Sequence, residues 1–210
     1  MVLMFYIALS KGDRISLSTA APYWFLASVS QALWCASFRR KYVLGSLPST
    51  LSSPTYLLLT SLLLTKTHAI LSSSKYSNPW FVTLPIALHA GWTMAASIVN
   101  VNGALAYKSV PLNLQRYVGH LSVALAVGIA VFAAKEGAGI VIPMVLAWAL
   151  RAVGAGMKQR IDGKQGNLVG AKTQMNIANA GSAIAVTAGI WGRGRRGWWE
   201  ILGSDDVDIF

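Results

Sequence analysis

The sequence predicts an all-α fold: a polytopic transmembrane helix bundle with about six full spans and an N-terminal half-span. Two observations lead there. Of 210 residues, 54% are hydrophobic and only 12% charged, against about 25% charged in a typical soluble domain. The charges also cluster in short basic segments between long apolar stretches, the pattern of spans and their loops. The net charge of +11 comes from 18 Lys and Arg against 7 Asp and Glu. These cations fall at span ends, where anionic headgroups attract them, and no basic soluble domain remains to bind nucleic acid.

The first stretch, Met1–Leu9, is apolar but would be about 14 Å long as a helix, too short to cross a bilayer. It has the character of half a span, or of a span whose beginning is missing, and it carries no basic n-region or cleavage site of a signal peptide. Lys11, Asp13 and Arg14 close it. The second stretch runs from Pro22, a residue suited to a helix start, to Phe38, with Arg39, Arg40 and Lys41 as an interfacial anchor. The single cysteine, Cys35, excludes an internal disulfide and reads as a small buried hydrophobe. The third stretch is Pro54–Ser72, and the fourth, Pro79–Tyr107, is the longest.

Three further stretches follow: Tyr117–Ala134, Gly139–Met157 and the Ala- and Gly-rich Thr173–Trp191. Their small residues let helix backbones approach closely, which favours association in lipid. The chain thus divides into 1–107, 108–192 and a tail, 193–210, with a basic-aromatic segment (Arg193 to Trp199) before an acidic end. Basic residues in both sets of loops leave the orientation undecided.

Two helical faces carry polar and aromatic groups. In the fourth stretch Pro85, His89, Trp92, Ala96, Asn100 and Gly103 fall within roughly a quarter of the circumference. Polar groups in hydrocarbon turn toward protein or a cavity, so this face is expected to point inward. It would form either a ligand-cavity wall or an interhelical contact joined by His89 and Asn100. In the second stretch Trp24, Ala27, Gln31, Trp34 and Phe38 share a face that would stack on a flat apolar ring or pack against other helices. His68, His89 and His120 raise bis-histidine haem ligation, but nothing in their spacing pairs them. Lys66 and Arg151 are placed near span ends, where snorkelling accounts for them. The spans carry no acidic residue, and no catalytic, metal-spaced or phosphate-loop motif is present, so no enzymatic activity is expected.

The segment Gln31–Phe38 resembles the third helix of the translocator protein / tryptophan-rich sensory protein (TspO) family. That helix carries Asn, then Trp three residues on, then Phe four further; here these positions hold Gln31, Trp34 and Phe38. Gly91, Trp92, Ala95, Ala96 and Asn100 resemble the G–W–x–x–A–A–x–x–x–N pattern of the family's fifth helix in its divergent, extended branch. The Pro–Tyr pair usual before that Trp is replaced by Leu88–His89, with Pro85 seven residues ahead of Trp92. In this register Pro54–Ser72 is the fourth helix, Met1–Leu9 the end of the second, and the first is absent. The resemblance covers 1–107, with three extra spans beyond it. It implies a multi-pass membrane protein that binds a hydrophobic planar ligand, a tetrapyrrole or sterol, at Gln31, Trp34, His89, Trp92, Ala96 and Asn100. The alternative is a structural subunit of a membrane complex without ligand chemistry. The partners these readings imply are the bilayer, a hydrophobic small molecule, and a second copy or other membrane proteins.

Overall fold

The computed structural model describes residues 14–38, 52–72, 79–107, 110–135, 140–162 and 171–202. These form six helices, with no strand among the described residues: α1 (Arg14–Phe38), α2 (Ser52–Ser72), α3 (Pro79–Tyr107), α4 (Leu112–Lys135), α5 (Val141–Asp162) and α6 (Ala171–Leu202). The shortest has 21 residues, about 32 Å of helix, enough to cross a hydrocarbon core. Three segments are both long and apolar enough to span: Thr83–Leu105, Leu112–Lys135 and Val141–Gln159. α2 has the length but dilutes its apolarity with eight Ser and Thr in 21 residues. The helical membrane architecture therefore stands, with three such spans among the described residues where the sequence led us to expect about six. The half-span expected at Met1–Leu9 lies outside the described residues.

Several boundaries differ from expectation for identifiable reasons. α1 begins at Arg14, and Pro22 sits inside it. Proline removes one main-chain donor, a loss that helices in lipid can accommodate locally. α4 begins at Leu112, five residues before the expected Tyr117. Its first turn is organised by Pro111, whose carbonyl accepts from the amides of Leu114 (2.9 Å) and Gln115 (3.1 Å). The Gln115 side chain also donates back to the carbonyl of Val110, at 2.6 Å. α6 continues to Leu202 and takes in the segment Arg193–Trp199.

The chain forms two compact units, residues 1–122 and 123–210, with the boundary inside α4. In the first, α2 packs along both α1 and α3. Leu57, Thr60, Leu64, Thr67 and Leu71 alternate at three- and four-residue spacing and are all fully buried, a coiled-coil-like seam. Thr60 and Thr67 donate to the carbonyls of Tyr56 (2.7 Å) and Leu63 (2.9 Å) on their own helix, so their hydroxyls are satisfied inside an apolar contact. Leu17, Ala20 and Ala27 of α1, Leu64 and Leu71 of α2, and Ile86 and Ala90 of α3 form the core, with Trp24 packed against it.

In the second unit α5 packs along α6, and glycines of α6 also meet α4. A Cβ at Gly192 would lie 2.6 Å from the carbonyl oxygen of Ala134 on α4. One at Gly181 would lie 2.9 Å from Val123 and 3.1 Å from Val127. Ala126, Ala130, Ala133 and Ala134 of α4 and Ala178 and Ala185 of α6 are buried. Ser182 donates to the carbonyl of Ala147 across the α5–α6 contact, at 2.8 Å.

Candidate functional site

Three hydrogen bonds fix the relative heights of α1, α2 and α3. Ser30 of α1 donates to the carbonyl of Tyr56 at 2.9 Å. Ser97 of α3 donates to the carbonyl of Pro54 at 2.8 Å. Ser53 donates to the side-chain oxygen of Asn100 at 3.0 Å. All three meet the first two turns of α2, so the last turns of α1 and the region Ser97–Asn100 of α3 lie at one depth. Gln31 and Trp34, next to Ser30 and one turn beyond it, belong to this level. A polar layer of hydroxyls and carboxamides therefore sits at one end of the unit. Leu17, Leu71 and Ile86 are near the opposite ends of their helices.

The α1 face is oriented as expected: Ala27 is buried, and Trp24, Gln31 and Trp34 are half-buried. The helix that carries Phe38 ends there, and its side chain lies outside the described residues. Cys35, expected to be buried, is exposed, because one residue past Trp34 turns the side chain about 100° away from the packed face.

The α3 face turns only partly inward. Trp92 is 52% exposed, Gly103 is exposed, and Pro85, His89, Ala96 and Asn100 are half-buried. The buried side of α3 is instead made by Thr83, Ile86, Ala87, Ala90, Thr93, Met94, Ala95, Ser97 and Ala104, roughly a third of a turn away. Small and hydroxyl-bearing residues took the contact because they allow close approach to α2. The asparagines reach the contacts from their edge, Asn100 through Ser53 and Asn102 through Ser122, and are held on their own helix as well. Asn100 donates to the carbonyl of Ala96 on its own helix at 2.8 Å, and Asn102 to that of Ile98 at 2.9 Å. Of the predicted residues, Gln31, Trp34, Ala96 and Asn100 lie near the depth of the polar layer; His89 and Trp92 lie further along α3.

The hydroxyls of Ser30, Ser53 and Ser97 escaped the sequence reading. Ser30 and Ser97 lie well inside their apolar stretches and Ser53 just ahead of Pro54, so no pattern marked them. Asn102 was also missed; it reaches α4 by donating to Ser122 at 2.8 Å. The His120 Nε2 and Ser61 Oγ are buried and make no hydrogen bond among the described residues. No group of His, Cys, Asp and Glu able to hold a metal ion occurs among the described residues. Arg151 is exposed on α5, about 12 Å inside the end of the apolar span at Gln159, deeper than expected.

No curated protein and no solved structure matches the chain. The family model described as TSPO-like protein matches residues 1–191, running past Tyr107 through the three later helices. With its long apolar helices, this makes the chain an integral membrane protein that belongs to the TSPO-like family.

Proposed function

We propose that this TSPO-like protein binds a flat hydrophobic ligand, a tetrapyrrole or sterol, against the inner face of α1. The observation that carries the reading is the placement of Trp34 and Gln31, half-buried beyond the apolar core and level with Asn100. An indole offers an apolar plane for stacking, and the carboxamides of Gln31 and Asn100 can orient a polar ring substituent. Asn100 spends one amide hydrogen on Ala96 and accepts from Ser53, which leaves its second amide hydrogen for a ligand.

Titration with a porphyrin, followed by quenching of tryptophan fluorescence, tests this. The native chain should show saturable quenching. Trp34→Ala and Gln31→Leu should each weaken it about tenfold, the loss of one good stacking or hydrogen-bonding contact. Trp92→Ala should leave it within about twofold. Absence of saturation with both a porphyrin and a sterol in well-folded protein would overturn the proposal.

One observation favours the second reading, a structural subunit. The outer face of α3 presents Leu88, Trp92 and Val99 to the surroundings beside half-buried His89. An imidazole facing hydrocarbon is better accommodated against a neighbouring protein helix. Stoichiometric co-purification of another membrane protein, lost in Trp92→Ala, would support that role.

A further inference from the structure

Met144, Trp148, Arg151, Ala155 and Lys158 repeat at three- and four-residue spacing along α5, and all five are exposed. They form one strip whose chemistry changes along the helix axis. Its first two turns are apolar, with Met144 and the 60% exposed Trp148. Its last two are cationic, with Arg151 and Lys158 about 10 Å apart along the axis. Ala155, small and exposed, separates the two cations along the strip.

The arginine is held by a device that crosses to α6. Its guanidinium donates to the side-chain oxygen of Asn179 at 3.4 Å. Asn179 in turn lies directly over Gly154, where a Cβ would come within 2.5 Å of that same oxygen. Gly154 makes room for Asn179, and Asn179 gives Arg151 a neutral anchor that leaves its positive charge uncompensated. No ion pair to Arg151 occurs among the described residues. α5 is long and apolar enough to cross a bilayer, and a cation within such a span draws headgroups and water toward it.

We propose that this strip is a binding site for an anionic phospholipid, with the phosphate between Arg151 and Lys158 and the acyl chains along Trp148 and Met144. The order of apolar and cationic residues matches that of acyl chain and headgroup, and the charge is complementary. Guanidinium and ammonium groups both donate to phosphate oxygens, and the guanidinium can do so with two parallel bonds. Asn179 is a positioning residue that fixes the arginine's direction. The site lies in the second unit and does not depend on the ligand proposed for the first.

The full-length protein, purified in a neutral detergent, would be mixed with phosphatidylglycerol or with phosphatidylcholine of the same acyl chains. Retained lipid would be counted by native mass spectrometry. Phosphatidylglycerol should be retained in preference by more than fivefold, since each basic residue near a membrane surface contributes about fivefold. Arg151→Gln and Lys158→Gln should each reduce the preference about fivefold, whereas Lys66→Gln on α2 should not change it. Arg151→Lys should keep most of it, and Asn179→Ala should lower it while leaving the helical circular dichroism intact. Equal retention of the two lipids by the native protein would overturn the proposal, as would an unchanged preference in folded Arg151→Gln. Should Arg151→Gln fail to fold, an unchanged preference in Lys158→Gln would overturn it equally. Stoichiometric capture of an acidic membrane protein in place of lipid would make the strip a protein contact instead.

Discussion

The two units of this chain solve the same packing problem with different residues. In the first, leucines and threonines space the helices, and serine hydroxyls bridge them through Ser30, Ser53 and Ser97. In the second, alanine and glycine bring backbones nearly into contact, as at Gly192 against Ala134. Neither unit can rely on exclusion of water, because lipid tails are as apolar as leucine. The first gains dispersion contacts from large side chains, and the second gains them from backbone atoms. The second arrangement should be the less tolerant. A leucine can yield to a new methyl group by changing rotamer, and a carbonyl fixed in a helix cannot.

Reversible unfolding in mixed micelles can break this comparison. The largest effect should come from Gly192→Ala, whose Cβ meets a backbone oxygen and forces α4 and α6 apart, at a cost of about 3 kcal/mol. Leu64→Ala should destabilise by about 2 kcal/mol, because it leaves a cavity in the seam of the first unit. Ser97→Ala, which removes one bridge to α2, should cost only about 0.6 kcal/mol. Gly156→Ala should stay within about 0.5 kcal/mol of the native protein, since its Cβ would enter open space. If Ser97→Ala proved costlier than Gly192→Ala, hydroxyl bridges rather than close approach would be the dominant device.

How legible the molecule was in its sequence varied with the signal. α3 runs from Pro79 to Tyr107 as read, because proline opens an uninterrupted apolar run. The start of α1 was misread because Pro22 looks like a first helical residue, whereas in a long helix it can sit inside. That of α4 was hidden because its opening residues, Asn113, Gln115 and Arg116, are polar. The inner face of α1 was correctly read from Trp24, Ala27, Gln31 and Trp34. That of α3 was read only in part. Its asparagines do meet other helices, Asn100 through Ser53 of α2 and Asn102 through Ser122 of α4. Each also returns an amide hydrogen to a carbonyl four residues back, as Thr60, Thr67 and Thr93 do with their hydroxyls. A polar side chain held partly on its own helix can reach a neighbour from the edge of the contact, and small size becomes the better guide to its centre. Of the candidate site, Gln31 and Trp34 were legible as a face, but their common depth with Asn100 was not. That depth depends on three hydrogen bonds between residues 26 to 47 positions apart.

The division of the indoles has an optical consequence. Trp24 and Trp34 are half-buried in the first unit, while Trp92, Trp148 and Trp191 are more than half exposed on α3, α5 and α6. In a bilayer the exposed three are open to collision with quenchers attached to acyl chains. The sheltered pair should respond little to such lipids and strongly to anything that enters beside α1. Brominating the acyl chains at successive carbons would therefore darken one population by its height in the membrane. With Trp80, Trp198 and Trp199 replaced by phenylalanine, the residual emission would then report on the interior, giving the chain its own ruler for depth and a separate lamp for occupancy.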